Sequence, residues 1–378
     1  MTLQRTMPPR LRPTKPSDVT VMLKSTDKAI AEAYRLALLD LDGVVYRGKN
    51  PVEHAADSIR AAEHAGMTIE YTTNNSSRFQ RVVADQLRGF GLDVEPHQVI
   101  TSSVVAARMV ARHVAPGAKV LVLGAEHLRE EVSRQGLVVV DSATDQPQAV
   151  IQGWYPQMSW EQMAQVSYAV EQGATYFVTN RDLTIPRELG IAPGCGSMIQ
   201  AVINATGVEP VASAGKPESA MYDEARLLAA SDDDGMQPVA KADCLAIGDR
   251  LDTDIEAGNR GGYDSLAVLT GVTNPHELML APAHLRPTYI AADLRGLLAA
   301  QPSVTRLTDG SWTCGEASAC IVPQSGGVQG GDFALSIGDR GADGMDALRA
   351  ACAAMWAFAD AGCDAGRVSL PDDAAFGR

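Results

Sequence analysis

The amino-acid sequence predicts an α/β protein with a Rossmann-like parallel-sheet core, a second α/β unit inserted into that core, and a small C-terminal extension. Two observations lead to this prediction. Short apolar runs alternate with longer amphipathic segments from residue 34 to residue 269, as the strands and helices of a parallel sheet do. The composition changes beyond residue 299, where lysine is absent and four of the six cysteines lie.

The predicted elements follow from hydrophobic periodicity. Short apolar runs predict strands, at 35–39, 67–72, 119–123, 137–140, 149–152, 175–179, 244–247 and 265–269. Apolar residues three and four positions apart predict helices, at 52–65, 80–89, 126–135, 159–172, 217–230 and 253–260. We find no internal repeat at the periods typical of solenoid proteins.

The length of 378 residues is enough for two or three domains at roughly 150 residues each. The assignment is a flexible, proline-rich arm (1–33), a core (34–98 and 195–299), an inserted α/β unit (99–194) and a C-terminal module (300–378). In that module a turn at 338–344 and an Ala-rich helix at 342–361 faintly resemble the cofactor-binding turn of acetyltransferases, so the module could be a degenerate fragment of one. We expect a structural or dimer-related role for it, and a homodimer is one expected assembly.

Charge and cysteine content exclude several classes of protein. The formal net charge of −14 and the pI near 4.9 disfavour nucleic acid and anionic membranes as partners. No apolar run approaches the ~20 residues of a spanning helix, and residues 1–28 contain no apolar core of a signal peptide. The cysteines form no Cys-x-x-Cys pair, so neither a zinc site nor a disulfide framework is indicated. We expect a soluble cytoplasmic protein with reduced thiols.

Acidic residues follow two of the predicted strands. Asp40 and Asp42 leave the first strand on the same side, because side chains alternate along a strand. Asp249, Asp252 and Asp254 follow the strand at 244–247, and several carboxylates at one strand end suit Mg²⁺. The simpler alternatives are an Asp-Gly turn after the first strand and helix caps after the other.

Two polar segments complete the set. Residues 72–78, Thr-Thr-Asn-Asn-Ser-Ser-Arg, follow the second strand and could cradle an anion with hydroxyls, amides and backbone N–H groups, although such runs are more often only loops. Lys216 stands before Pro217 at the start of a helix. A lysine in that place is usually only solvated, and the spacing of a phosphate-binding P-loop is absent.

Taken in order, the four segments resemble the motifs of the haloacid dehalogenase superfamily of phosphohydrolases. The resemblance runs from about residue 37 to residue 298. It is closest to the NagD-like branch (class IIA), which includes glycerol phosphate, phosphoglycolate, pyridoxal phosphate and 4-nitrophenyl phosphate phosphatases. In this family the inserted unit is a cap that closes over the core.

The resemblance implies a role for each motif residue. Asp40 would be the nucleophile that becomes an aspartyl phosphate, Asp42 the general acid and base, and Lys216 the cation that neutralises Asp40 and a phosphate oxygen. Mg²⁺ would be held by the carboxylates of Asp40 and Asp249 and the backbone carbonyl of Asp42, with Asp254 binding metal-bound water. The residues implied to hold the phosphate are Thr73, Asn74, Asn75 and Gly43.

The segment 179–182 resembles the branch's substrate loop. Asn180 and Asp182 would therefore face the substrate, unless the segment is merely a turn that ends a strand. Cys195, between two glycines, has no suitable histidine nearby in the sequence and is not expected to be a nucleophile.

The expected function is Mg²⁺-dependent hydrolysis of a small phosphomonoester, of the glycerol 3-phosphate or 2-phosphoglycolate type. The partner is a small phosphorylated metabolite, with no nucleic acid and no membrane. Pyridoxal phosphate, sugar phosphates and nucleotides remain open as substrates. A phosphomutase would share the motifs, and a non-catalytic regulatory protein that senses a ligand through its C-terminal module is the alternative from another class. A dehalogenase function is disfavoured, because that reaction needs neither Asp42 nor a metal cluster.

Overall fold

The computed structural model describes residues 23–187, 189–231, 237–324, 332–341 and 344–377. The described chain divides into two compact units, one formed by residues from 25 to 302 and the other by residues from 303 onward together with 23–24. Strands and helices alternate in the larger unit, so the predicted α/β class is confirmed.

The strands of the larger unit are β1 (Leu36–Asp40), β2 (Tyr46–Arg47), β3 (Asn50–Pro51), β4 (Thr68–Thr73), β5 (Val99–Thr101), β6 (Lys119–Leu123), β7 (Val138–Val140), β8 (Ala149–Gln152), β9 (Thr175–Val178), β10 (Thr184–Arg187), β11 (Gly190–Pro193), β12 (Ala212–Ser213), β13 (Cys244–Gly248), β14 (Asp264–Val268) and β15 (Tyr289–Ala291). Its helices are α1 (Ile30–Ala33), α2 (Ala55–His64), α3 (Gln80–Gly89), α4 (Ser102–Ala111), α5 (Glu126–Arg134), α6 (Trp160–Glu171), α7 (Cys195–Thr206), α8 (Ala220–Ser231), α9 (Glu256–Gly261) and α10 (Pro275–Met279).

Six parallel strands form the core sheet, in the order β15-β14-β13-β1-β4-β5. All five residues of β1 are buried, as expected for a central strand covered on both faces. Its side chains alternate between two hydrophobic clusters. Ala37 and Leu39 belong to one, with Ile59 of α2, while Leu36 and Leu38 belong to the other, with Tyr222 of α8. This order places the carboxyl ends of β4, β1 and β13 side by side.

A second parallel sheet, in the order β12-β9-β8-β6-β7, is inserted between β5 and β13 in the sequence. One face packs against α6 and α7, where Val150 and Val178 meet Ile199. From the other face, Ile151 and Phe177 join the cluster that also contains Leu38 and Leu36 of the core strand. The two sheets therefore share a hydrophobic cluster.

Both predicted boundaries of the inserted unit, 99 and 194, are wrong. The first residues, Val99–Thr101, form β5, which pairs with β4 in the core sheet. At the other end the chain does not return to the core at residue 195. The helix α7 packs on the second sheet, and Ala212–Ser213 then pairs in parallel with β9. Two parallel neighbours need a crossover between them, and α7 is that crossover.

The predicted flexible arm over 1–33 is also wrong at its C-terminal end. Residues 1–22 lie outside the described residues. Ile30 is fully buried, and Ala29 forms a β-bridge with Ala300. Burial of Ile30 removes apolar surface from water and so favours an ordered segment there.

The smaller unit is a five-stranded sheet with one long helix. Its elements are β16 (Val304–Arg306), β17 (Trp312–Cys314), β18 (Ala317–Pro323), β19 (Phe333–Ile337), β20 (Val368–Ser369) and α11 (Met345–Asp360). The strands β16 to β19 pair antiparallel, and β20 joins β19 in parallel. The predicted helix over 342–361 corresponds to α11, although 342–343 lie outside the described residues. Nowhere in the described part of the chain is a helix both long and apolar enough to span a membrane.

Candidate active site

Three buried carboxylates meet where β1 and β13 end. Asp40 is the last residue of β1, and Asp249 directly follows β13. Asp254 lies five residues further on, in a π-helical turn that precedes α9. One carboxylate oxygen from each lies within 4.8 Å of the others. The predicted convergence of the two acidic strand ends is thus present in the structure, with Asp254 inside the cluster.

Lys216 is the cation of this cluster. It lies between β12 and α8, and only 2% of it is exposed. Its Nζ forms an ion pair with Asp40 and lies 2.7 Å from Oδ1 of Asp254. The Tyr222 ring, 6.0 Å from Nζ, forms part of the wall. One lysine among three carboxylates leaves the pocket with a formal deficit of positive charge.

The electrostatics of the carboxylates reflect that deficit. Burial raises the pKa of Asp40 well above its ordinary value, Lys216 opposes this, and the nearby Asp254 and Asp249 reinforce it. Burial and the charge of Asp254 raise the pKa of Asp249 to about 7. Such shifts are expected where like charges share a dry site.

The residues fit a divalent cation. Oδ2 of Asp249 accepts a hydrogen bond of 2.7 Å from the Val272 N–H, but its Oδ1 is buried without any hydrogen-bond partner among the described atoms. An orphaned carboxylate oxygen beside two other carboxylates is costly unless a cation compensates it. Oxygen ligands of this kind suit Mg²⁺.

Two glycines give Asp249 its space. Gly43 has a φ of +88°, and a Cβ there would lie 2.5 Å from Oδ2 of Asp249. A Cβ on Gly271 would overlap the same carboxylate. The N–H of Gly43, a residue predicted to bind phosphate, donates to the Tyr46 carbonyl at 2.8 Å. The contribution of Gly43 is the close approach, which a side chain would block.

Asp42 stands apart from the buried carboxylates. It is exposed, and its side chain is not among the clustered ligand groups of the described residues. Partial burial raises the pKa of its carboxyl, against a hydrogen bond from the Gly48 backbone. Asp252 likewise points away, with its side chain 61% exposed and paired with Arg250.

The loop after β4 carries the predicted phosphate-binding residues. Thr73 is largely buried, and its Oγ1 accepts from the Asn75 N–H at 3.1 Å. The Asn75 side chain is exposed and turned back onto its own loop, where Oδ1 accepts from Ser77 and Arg78. That amide oxygen is therefore occupied locally, so a phosphate role for the side chain is not supported.

Asn74 joins this loop to the inserted unit. Its amide contacts Asp182 at 3.1 Å, and its backbone carbonyl accepts from the Asn180 amide at 2.9 Å. Burial raises the pKa of Asp182, and the Asn74 hydrogen bond opposes the shift. The predicted loop residues Asn180 and Asp182 therefore do reach the core.

Several site residues were missed by the sequence analysis. Gly271 and Val272 follow β14 and shape the Asp249 environment. Ser102 donates to the Asn74 carbonyl at 2.7 Å, and Thr270 to that of Gly43 at 2.7 Å. The rule that ligands bind at the carboxyl ends of parallel strands points to the segment after β14. Neither Ser102 nor Thr270 carries a signal of its own.

Comparison with known proteins agrees with this geometry. A family described as haloacid dehalogenase-like hydrolase matches residues 37–138, and a HAD-hydrolase-like family matches 213–297. A D-glycerol 3-phosphate phosphatase of Mycobacterium tuberculosis is 36% identical over 333 residues, which are 87% of this chain and 88% of that protein. A 5′-nucleotidase of Bacillus subtilis is 34% identical over 67% of this chain and 95% of its own length.

Solved structures extend the likeness to three dimensions. The glycerol phosphate phosphatase from M. tuberculosis in complex with magnesium superimposes with a TM-score of 0.74 at 35% identity, covering 92% of this chain and 97% of that one. The p-nitrophenyl phosphatase from Archaeoglobus fulgidus gives 0.64 at 31% identity, over 70% of this chain and 98% of its own. With the four motifs brought together at one sheet edge, the chain belongs to the haloacid dehalogenase-like hydrolases, in their NagD-like phosphatase branch.

Proposed function

We propose that the chain is a Mg²⁺-dependent phosphatase that hydrolyses a small phosphomonoester of the glycerol phosphate type. The buried group formed by Asp40, Asp249, Asp254 and Lys216 carries this proposal. Its relative from M. tuberculosis is named as a D-glycerol 3-phosphate phosphatase, and the structure of that protein contains magnesium.

Asp40 is the nucleophile in this proposal. Its carboxylate oxygen attacks phosphorus, the bond to the leaving alkoxide breaks, and an aspartyl phosphate forms. Lys216 neutralises Asp40 before the attack and a phosphate oxygen during it, and Thr73 can donate its hydroxyl to another oxygen. Phosphoryl transfer depends mainly on such positioning and charge stabilisation.

Asp42 is the general acid and the general base in this proposal. The residue is exposed, and the raised pKa of its carboxyl favours the protonated form in which it can protonate the leaving alkoxide. The resulting carboxylate then accepts a proton from the water that attacks the aspartyl phosphate. Phosphate leaves, and Asp40 and Asp42 return to their starting states.

Asp40 and Asp249 would hold Mg²⁺ together with the backbone carbonyl of Asp42, and Asp254 would lie beside them. When bound, the ion supplies the positive charge that the three carboxylates and one lysine lack, next to the oxygens on which charge develops.

Phosphate release tests the proposal. Purified protein should release phosphate from glycerol 3-phosphate with Mg²⁺, and should lose this activity with EDTA. Asp40→Asn should abolish turnover, because the nucleophile is gone. Asp252→Asn is a matched control that should keep the activity, because the Asp252 side chain is 61% exposed and is paired with Arg250. Full turnover by Asp40→Asn would contradict the mechanism.

A substrate panel tests the choice of ester. The half-buried Asp182 carboxyl on the inserted side should disfavour a second carboxylate, so we expect glycerol 3-phosphate to be hydrolysed faster than 2-phosphoglycolate. Pyridoxal phosphate, a sugar phosphate and a 5′-nucleotide complete the panel. A strong preference for any of these three would change the proposed substrate, but it would still be consistent with a phosphatase.

We also propose that the inserted sheet acts as a cap, that the chain forms a homodimer, and that it resides in the cytoplasm. Exposed Leu189 and Ile191 on the β10–β11 hairpin support self-association, since exposed apolar patches often mark interfaces. None of the six cysteines is in a disulfide in the described structure, which suits a reducing compartment. Light scattering and cell fractionation test the last two proposals.

A further inference from the structure

The side chain of Asn74 forms hydrogen bonds to the backbone of Lys216 and to the side chain of Asp182. Its Oδ1 accepts from the Lys216 backbone N–H at 2.8 Å, and its Nδ2 donates to the Lys216 carbonyl at 2.9 Å. One side-chain amide therefore pairs with both polar backbone groups of the same residue. This fixes the peptide plane on each side of Lys216.

Fixing that backbone matters because the Lys216 side chain is long. A lysine has four rotatable bonds and loses considerable entropy when its ammonium group is held at one point. Here Nζ must stay between Asp40 and Asp254 in a pocket where 2% of the residue is exposed. Anchoring the Cα by two hydrogen bonds limits the places that the ammonium group can reach.

The same amide is also bound to the inserted unit. Its Nδ2 lies 3.1 Å and 3.3 Å from the two carboxylate oxygens of Asp182, while the Asn74 carbonyl accepts from Asn180 at 2.9 Å. The three segments pack so closely that a Cβ on Gly215 would lie 2.7 Å from both Asn74 Oδ1 and Asn180 Cβ.

We propose that Asn74 is a positioning residue that holds Lys216 over Asp40, and that Asp182, bonded to the same amide, makes this position depend on the loop of the inserted unit. The proposal rests on the proposed function for the role of Lys216. It assigns the Asn74 side chain to the lysine and not to the phosphate. Asp182 then acts on the reaction through Asn74.

Binding of inorganic phosphate tests this without turnover. With Mg²⁺ present, phosphate should raise the thermal midpoint of the wild type, because a ligand stabilises the state that binds it. Asn74→Ala should weaken apparent phosphate affinity on the order of tenfold, in the manner of lost charge-assisted contacts. Asn259→Ala is the matched control and should keep the phosphate shift, since the Asn259 amide also donates to two backbone carbonyls, at 2.8 Å and 3.1 Å, away from the site. An undiminished phosphate shift in Asn74→Ala overturns the proposal.

A double-mutant cycle on turnover tests the link to Asp182. Asn74→Ala should lower kcat by roughly tenfold to a hundredfold with little change in KM, the pattern of a lost transition-state interaction. Asp182→Ala should lower kcat less and add nothing in the Asn74→Ala background, since both act through one amide. Multiplying effects, or a change in KM alone, would count against the proposal.

Asn74→Asp provides a second variant if the alanine protein does not fold. It keeps the acceptor for the Lys216 N–H and removes the donor, so we expect an intermediate loss of kcat. Activity equal to wild type in this variant would overturn the assignment. A wild type that releases no phosphate from any ester would refute the proposed function instead, and the phosphate-binding assay would still decide on Asn74.

Discussion

The tetrapeptide Ile-Gly-Asp-Arg occurs twice in this chain, at 247–250 in the larger unit and at 337–340 in the smaller one. Each copy begins with the last apolar residue of a strand, β13 or β19. Asp249 is 2% exposed and joins two other carboxylates, whereas Asp339 is exposed and its carboxylate accepts a local hydrogen bond from the Arg340 N–H. The same four residues thus form a charged pocket in one place and a solvated turn in the other.

The strands explain the difference. All five residues of β13 are buried, and the strand lies between β1 and β14. Asp249, the residue after β13, therefore lies at the carboxyl end of a central strand with neighbours on both sides. Only one residue of β19 is buried. Burial raises the free energy of a charged carboxylate, and a neighbouring acid raises it further. Local sequence alone therefore does not make an acidic site, whereas position in the sheet does.

The largest expected difference between the two copies is chemical. Asp249→Asn should lower phosphate release on the order of a thousandfold and weaken Mg²⁺ binding, because a metal ligand stabilises the transition state by several kcal/mol. Asp339→Asn should leave both unchanged. Measured rates at several Mg²⁺ concentrations check this, and equal effects of the two substitutions would remove the distinction.

The glycines of the two copies should differ in stability. A Cβ on Gly248 would collide with the Asp254 side chain, at its Cβ and Cγ, so Gly248→Ala should cost about 1–3 kcal/mol in the free energy of unfolding and reduce activity. In Gly338→Ala the nearest atom is the Ser318 hydroxyl, which can rotate away, and we expect a cost below about 1 kcal/mol. Urea unfolding of both variants measures the contrast. A larger cost at Gly338 would argue against it.

Burial should also govern a histidine far from these turns. His127 is 1% exposed, its Nε2 lies 2.8 Å from Thr101 Oγ1, and burial, followed by Arg134 and Arg81, lowers its pKa to about 4. In the unfolded chain this histidine is protonated below about pH 6.5, whereas in the folded chain it stays neutral down to about pH 4. Stability contributed by the neutral form is complete above pH 6.5 and is lost as pH falls toward 4.

The loss amounts to about 3 kcal/mol at most, from 1.36 kcal/mol per pKa unit. The free energy of unfolding of wild type and of His127→Gln should be measured by chemical unfolding at pH 7 and at pH 4.5. The change with pH in the difference between the two proteins isolates the contribution of His127 from those of other titrating groups. A difference that does not change with pH would show that His127 is not held neutral.

The smallest expected effect belongs to an exposed ion pair beside the buried cluster. Arg250 and Asp252 lie 2.8 Å apart, with side chains 43% and 61% exposed. Exposed pairs of this kind contribute roughly 0–1 kcal/mol, so Asp252→Ala should change the free energy of unfolding by less than about 1 kcal/mol. Phosphate release should not change. A marked loss of activity would place Asp252 in the site after all.

Sequence reasoning was most successful where the signal was local. Apolar runs located β1, β6 and β8 to within a residue, because buried parallel strands need continuous apolar side chains. It failed at the boundaries of the inserted unit, since β5 and β12 are three and two residues long and their sheet is decided by their neighbours. It also assigned Gly43 and Asn75 to the phosphate, whereas the Gly43 N–H and the Asn75 Oδ1 already have hydrogen-bond partners in the structure.

The sequence alone indicates an α/β fold, and its four short motifs, taken in order, resemble those of the haloacid dehalogenase superfamily. Folding supplies the distances between them. Asp40 and Lys216 are 176 positions apart, and Asn74 and Lys216 142. Contacts over such separations depend on the order of strands in the sheet, which no local pattern encodes. The order β13-β1-β4 places Asp249, Asp40 and the loop that contains Asn74 side by side.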